Sequence, residues 1–347
     1  MLFFLRDQAL VRLLGDCQMR VINAQSKADL LEVLDRLEVF PGGLAFDHAQ
    51  SITLLVLAFA SLAAALLMDG MGGMFWVFVA LCFFSYRVSK GISGVSTDLA
   101  ASITRKCMML GNDLREFDSS ADWRLKRLDN EFTDYRRGSE SERRRILDSL
   151  QGVYRGERHS LAFEYHQLRY VISSWERGAG GDLKTVYTNY QRYSLVVDFP
   201  WVRELALRSS PLEIQLPGQP FKTDREDFNQ TFVLRGNDPA SCERFATPAT
   251  LDLLLELSRQ LHGVNLEFSG QGRLCLSFNN EDIMAHADPG ALSDLTVFRE
   301  RIEAGIELPK LYPLLGLIER LAWQHDGHAV AAVVPQVVDS SELIKEE

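Results

Sequence analysis

The sequence lacks the motifs that mark the common catalytic and cofactor sites. Its 347 residues contain no G-x-S-x-G turn, no H-E-x-x-H pair and no S-x-x-K nucleophile. A glycine-rich segment at 178–182 precedes Lys184, but Leu183 stands where a phosphate-binding loop needs glycine. Linear motifs therefore predict no catalytic residue and no cofactor.

Metal-ligating side chains are also sparse. His325 and His328 lie one helical turn apart, but the Asp326-Gly327 dipeptide between them indicates the end of a helix rather than a metal site. The cysteines include no C-x-x-C pair, and their wide spacing is typical of reduced, structural thiols rather than of a disulfide framework. We therefore predict no metal site. The five cysteines are Cys17, Cys82, Cys107, Cys242 and Cys275.

Basic residues are too few for a general nucleic-acid-binding protein. The chain has 37 Lys and Arg against 47 Asp and Glu, a net charge of -10. Because binding to phosphates requires a basic face, we predict no nucleic-acid partner. A run of three arginines at 143–145 stands beside Glu140 and Glu142, which favours a solvated helix face over a lipid or RNA site.

Charge is almost absent from one block of the chain. No charged residue occurs from Ser51 to Met68, and Asp69 is the only one between there and the end of a second apolar run, Met71 to Tyr86. A bilayer core requires about 20 apolar residues of helix, and neither run has the polar stripe of a soluble amphipathic helix. The block predicts a two-span transmembrane hairpin at 50–88.

The basic residues around this block predict its orientation. Arg87 and Lys90 follow the second run, whereas the turn between the runs has no Lys or Arg. The positive-inside rule then places both termini in the cytoplasm of a multi-pass membrane protein, with the lipid bilayer as a partner. The small residues Ser61 and Ala65 favour packing between the two spans, with self-association between copies as the alternative. The absence of ionisable groups within the spans favours an anchor over an ion path.

The rest of the chain predicts an α+β fold. Leucines at helical spacing predict amphipathic helices at 1–49, with Leu2–Leu5 as the apolar face of an alternative helix on the bilayer surface. A helical stalk is expected at 89–151. Alternating apolar residues then predict antiparallel hairpins, with helices, in a cytosolic domain at 152–330. Residues 331–347 form a C-terminal tail.

Part of the soluble segment resembles a bacterial family. The Asp238-Pro239 pair, followed by Arg244 and by Thr247-Pro248, precedes an amphipathic helix and two short strand-like runs. This order and spacing is similar to the domain-of-unknown-function 3137 family, and the resemblance covers residues 50–285. It implies two membrane spans before a cytosolic domain in a bacterial inner membrane. The family carries no established activity.

Three functional hypotheses remain open. The missing motifs favour a membrane-anchored, non-enzymatic binding or scaffold protein that presents its cytosolic domain to a protein partner or to its own copies. The second hypothesis is a membrane-tethered hydrolase of lipid or envelope precursors, with an active site assembled only in the fold. The third is an accessory subunit of a transport or secretion complex.

Overall fold

The chain divides into two compact units, which we describe one at a time. Unit 1 comprises Met1–Asp113 and His286–Glu307, and unit 2 comprises Leu114–Ala285 and Leu308–Glu347. The structure is a computed structural model, and it describes residues 2–41, 44, 49–67, 73–139, 143–177, 182–209, 214, 216–288 and 290–329. The predicted tail at 331–347 and the glycine-rich segment at 178–181 lie outside the described residues.

Unit 1 is helical. Ser26 caps the second helix in a capping box, because its hydroxyl accepts from Asp29 N at 3.3 Å while the Asp29 carboxylate accepts from Ser26 N at 2.9 Å. Leucines such as Leu10 and Leu30 are buried at helical spacing in the first two helices. The side chains of residues 2–7 lie outside the description. The helices are α1 (Leu2–Asn23), α2 (Lys27–Glu38), α3 (Ala49–Leu67), α4 (Gly73–Gly111) and, after unit 2 begins, α9 (Leu295–Ala304).

Helices α3 and α4 form an antiparallel pair. The hydroxyl groups of Ser51 and Ser85 lie 2.7 Å apart, and the Phe59 and Phe78 rings contact each other at 6.1 Å between centroids. Of the two small residues expected at the packing face, Ser61 is buried and Ala65 is half-buried. Many of the larger apolar side chains of the pair, among them Phe59, are exposed.

The predicted transmembrane hairpin is contradicted. Among the residues that the structure describes, no helix has both the length and the apolar character needed to cross a membrane. The span ends at Met68 and Met71 lie outside the described residues. The multi-pass inner-membrane assignment is contradicted by the same finding, so the cytoplasmic placement of both termini no longer follows from it.

In its described residues, unit 2 is built on one antiparallel sheet of eight strands, in the order β1-β2-β3-β8-β7-β4-β6-β5. This arrangement confirms the predicted α+β class and the pairing by hairpins. The strands are β1 (Arg145–Arg155), β2 (Ser160–Arg177), β3 (Leu183–Asp198), β4 (Leu205–Arg208), β5 (Gln219–Phe221), β6 (Val233–Gly236), β7 (Asn265–Phe268) and β8 (Arg273–Phe278). The helices are α5 (Ala121–Glu131), α6 (Glu226–Thr231), α7 (Pro239–Phe245), α8 (Pro248–Gln260) and α10 (Leu311–Ala329), with 3-10 helices at Thr133–Arg136 and Glu281–Met284.

One face of the sheet, here called the apolar face, holds the main core. Across it runs a continuous row of paired residues, each on a neighbouring strand, and leucines dominate this row. The side chains of Leu253 and Leu257 on α8 and of Leu321 on α10 pack against Leu266 and Leu276 from the row. The apolar row consists of Leu150, Tyr165, Leu195, Leu276, Leu266, Leu207 and Leu234.

The opposite face, here called the polar face, carries polar side chains that are nevertheless buried. Helix α5 and the following 3-10 helix cover it, with Leu128, Phe132 and Tyr135 packed against Cys275 and Val196 of the sheet. Beneath this cover a second row of paired residues crosses six strands. Each of its residues is the sequence neighbour of a residue in the apolar row. This polar row consists of Ser149, His166, Ser194, Ser277, Asn265 and Arg208.

Several predicted boundaries are wrong. The expected stalk at 89–151 is helical only in part, because α4 ends at Gly111 and β1 begins at Arg145. The Ser139-Glu140-Ser141-Glu142 sequence predicts a capping box, but 140–142 lie outside the described residues. Alternating apolar residues from Val153 to Val171 predict a single strand, but the strand is broken by a turn in which Gly156 N donates to His159 O at 3.0 Å. The sequence at 228–234 predicts a strand, but most of this segment lies in helix α6.

Candidate functional site

A two-stranded arm extends from the sheet of unit 2. Strands β2 and β3 pair from Phe163↔Val197 as far as Arg177↔Leu183. Pairing with β1 stops at Arg169, and pairing with β8 stops at Tyr193. Within the described part of the chain, residues 171–177 and 183–191 therefore have no flanking strand. We call them the arm.

One face of the arm carries an exposed apolar stripe. Trp175, Leu183 and Tyr187 lie on the same side, because their register partners are Thr185, Arg177 and Ser173. The Trp175 side chain is 72% exposed and that of Leu183 is 62% exposed. These positions continue the apolar face of the sheet outward, to a region where no described helix covers them. The Arg143 guanidinium lies 4.1 Å from the centroid of the Tyr187 ring.

The charged side chains of the polar face form two groups. The first group is a network around Glu164. Arg127 of α5 and Arg273 of β8 both approach the Glu164 carboxylate, and Arg273 Nε also donates to Glu131 at 2.9 Å. Burial, with the nearby Arg127 charge, lowers the pKa of Arg273 to about 10. This network ties α5 to the sheet, which is the arrangement expected of a structural ion-pair cluster.

His166 connects this network to the polar row. Its Nδ1 lies 2.9 Å from Ser149 Oγ, and its Nε2 lies 2.9 Å from Glu164 Oε2. The order serine, histidine, carboxylate is that of a hydrolase triad. However, His166 is fully buried, its ring is stacked on Phe117, and burial lowers its pKa. No described cavity reaches it, so we assign it a structural role.

The second group of charged side chains centres on Asp134, in the 3-10 helix. Its carboxylate accepts from Arg137 Nη2 at 2.6 Å, from Arg192 Nε at 3.1 Å and from Asn265 Nδ2 at 2.8 Å. All of these side chains are buried. Although burial alone would raise the pKa of Asp134, Arg192 and Arg137 hold it well below its ordinary value. The carboxylate therefore stays ionised and shared between two guanidinium groups.

A polar cavity of about 280 Å³ opens beside this cluster. Arg137, Arg192 and Asn265 form its buried wall, and Asn279 and Ser209 contribute more exposed side chains. Arg192 Nη1 donates to Asn279 Oδ1 at 2.6 Å, and Arg192 Nη2 donates to Ser277 Oγ at 3.1 Å. The cavity volume lies just below the range of about 300–1,000 Å³ that is typical of small-molecule sites.

A second buried carboxylate, Glu267, lies on the same face. Burial raises its pKa, while Thr133 N and Thr133 Oγ donate to it at 2.8 and 2.7 Å. Opposite pKa shifts at Asp134 and Glu267 are the pattern of an acid and base pair. Glu267, however, is not among the residues that line the cavity. The arrangement therefore suits ligand binding better than proton transfer to a substrate.

The residues that carried the family resemblance are helix caps. Asp238 is the N-cap of α7 and accepts from Ser241 N at 3.0 Å, with Pro239 in the first turn. Thr247 is the N-cap of α8, with Pro248 next, as predicted. Arg244 Nη2 donates to Ser241 Oγ at 2.9 Å. These residues therefore lie at or near the starts of two consecutive helices.

The remaining predictions concern histidine and cysteine residues. Helix α10 continues through Asp326 and Gly327, so the predicted helix end there is wrong. His325 is buried, stacks on Phe245 and lies 3.1 Å from Thr250 Oγ1, while the His328 side chain lies outside the description. Within the described residues no group of His, Cys, Asp and Glu could hold a metal ion. All five cysteines are free.

Sequence reasoning missed the polar cavity. Its residues come from five separate segments. The sequence assigns Arg137 and the neighbouring Asp134 to a helical stalk and Arg192 to a strand, with no signal that joins them. No family model, no curated protein and no solved structure matches this chain.

Proposed function

We propose that this chain is a non-enzymatic binding protein that holds a protein partner through the arm. The observation that carries the proposal is the exposed stripe of Trp175, Leu183 and Tyr187. Tryptophan and tyrosine dominate the binding energy of protein interfaces, whereas they are rarely left uncovered in such a group without a partner.

The backbone of the arm supports the same proposal. On the β2 edge, Ser139 N donates to Val171 O at 3.1 Å and Ser139 Oγ accepts from Ser173 N at 2.7 Å. The β3 edge at 183–191 has no flanking strand among the described residues, so a partner strand can pair with that edge. Side-chain pockets on the partner would then recognise alternate residues of the stripe. Polar neighbours such as Thr185 and Ser173 provide the rim that interfaces of this kind have.

A photo-crosslinking amino acid at position 187 tests the proposal. Incorporated into the full chain in cells, it is expected to give a discrete adduct that disappears in a Trp175→Ser background. The matched control carries the crosslinker at Leu147, an exposed apolar residue of β1 outside the arm. An adduct of twice the chain mass identifies a second copy as the partner, and any other mass identifies a different protein. Absence of an adduct, or equal adducts at both positions, contradicts the proposal.

A further inference from the structure

The cavity on the polar face has the chemistry of an anion site. Arg192 is nearly fully buried and donates through Nε to Asp134, through Nη1 to Asn279 and through Nη2 to Ser277. Each of its two terminal nitrogens carries a second N–H group. The guanidinium thus lies in the cavity wall as a fork of the type that binds carboxylate and phosphate oxygens.

The local carboxylate does not fully neutralise this guanidinium. Asp134 is the one carboxylate bonded to Arg192 among the described residues, and it also accepts from Arg137 and Asn265. A buried cation is costly unless it is well paired. An oxyanion in the cavity would complete the pairing of Arg192 without displacing any of the bonds to Asp134.

The part of the cavity wall at Gly263 lies close to the side chains of Asn279 and Arg192. Gly263 has a φ of +59°, and a Cβ placed there would lie 2.5 Å from Asn279 Nδ2 and 3.3 Å from Arg192 Nη1. Only a residue without a side chain leaves room for those two groups. The Asn279 amide and the Ser209 hydroxyl provide further hydrogen bonds for a polar ligand.

We propose that this cavity binds the oxyanion group, carboxylate or phosphate, of a small polar molecule. Arg192 binds the anion, and Asp134 is a positioning residue that orients the guanidinium. With about 280 Å³ available, the cavity holds the anionic group and a small polar body. Arg192 directly follows the arm residues on β3, but the site lies on the polar face and does not depend on the proposed protein partner.

Isothermal titration calorimetry on the full chain tests the site, with inorganic phosphate and acetate as probes at matched ionic strength and sodium chloride as the control. We expect saturable binding of at least one probe. Arg192→Lys keeps the charge but loses the fork, and should weaken binding roughly tenfold, the scale of one charge-assisted hydrogen bond. Ser209→Phe fills the cavity without touching a bond of Asp134 and should abolish binding.

The matched control is Ser160→Phe, which places the same side chain at an exposed serine outside the cavity. It should bind the probe as the unmodified chain does. Phosphate binding alone, acetate binding alone, or both, identifies the class of oxyanion. If Arg192→Lys loses its fold by circular dichroism, Ser209→Phe decides the question. The proposal is overturned if the folded chain binds neither probe, or if Ser209→Phe binds as well as Ser160→Phe.

Discussion

The apolar and polar rows of the sheet differ by one position along each strand and are opposite in character. Leu195, Leu276 and Leu266 lie on one face, whereas Ser194, Ser277 and Asn265 lie on the other. Both sets are buried. A helix layer covers each face, so the difference is not one of core and surface. It is a difference between a face held by hydrophobic contact and a face held by directed bonds.

The polar face, rather than the apolar face, determines the specificity of packing in this unit. Leucine side chains on the apolar face tolerate small shifts of α8 and α10, because dispersion contacts are not directional. On the polar face, Asp134 must meet Arg137, Arg192 and Asn265 together, and a displaced partner leaves a buried charge unsatisfied. The polar face therefore fixes the position of the 3-10 helix, and with it the wall of the cavity.

Removing the central carboxylate is expected to have the largest effect. Asp134→Ala leaves Arg137 and Arg192 buried without their shared partner, and should lower the free energy of unfolding by about 4 kcal/mol. Urea denaturation followed by circular dichroism measures the change. The control is Asp227→Ala, which removes an exposed carboxylate bonded to Arg225 and should leave stability nearly unchanged. Equal losses in the two variants would show that the polar face is not a stabilising network.

A leucine of the apolar row should show the next largest effect. Leu276→Ala removes a fully buried side chain between α8, α10 and the sheet, and should cost about 3 kcal/mol through lost burial and the cavity left behind. Leu276→Met, which conserves volume, should cost less than about 1.5 kcal/mol. If Met is as destabilising as Ala, the face requires a specific shape, and the contrast with the polar face weakens.

The pH dependence of stability tests the polar face through His166, which lies in the polar row. Burial lowers the pKa of His166, so the folded chain takes up its proton at lower pH than the unfolded chain does. Stability is therefore lost as pH falls below about 6.5, with a slope of at most about 1.4 kcal/mol per pH unit. In His166→Gln, the free energy of unfolding should differ less between pH 7 and pH 5 than it does in the unmodified chain, as measured from unfolding curves at the two pH values. An unchanged slope in that variant would assign the pH dependence to other groups.

The sequence predicted the apolar face well and the polar face poorly. Phe163, Tyr165 and Leu195 belong to the alternating apolar runs of the sequence, and these residues are buried. The intervening His166 and Ser194 follow the same alternation, which by itself indicates a solvent-facing side. Only the cover of α5 and the 3-10 helix reverses that interpretation, and this cover lies within the segment that the sequence predicts as a stalk. Alternation reports the character of a face, whereas burial also depends on distant segments.

The transmembrane prediction for the apolar block at 51–86 is wrong at one step only. Composition predicts the helices there and their antiparallel pairing, and α3 and α4 confirm both. The inference from apolar composition to a bilayer span was the step that the described helices contradicted. The caps at Thr247 and Asp238 were, by contrast, predictable to the residue or close to it, because an N-cap depends on neighbours three positions away.

The smallest effect is expected on the arm, where the positions of the apolar face continue without a cover. Trp175→Ser removes a large side chain that is 72% exposed, and should change the free energy of unfolding by less than about 0.5 kcal/mol. Phe163→Ser, on the same strand and the same face but buried, should destabilise the unit strongly. Thermal unfolding of both variants measures the difference. A large loss in Trp175→Ser would mean that the stripe is covered within the chain itself. The arm would then belong to the core and not to a partner surface.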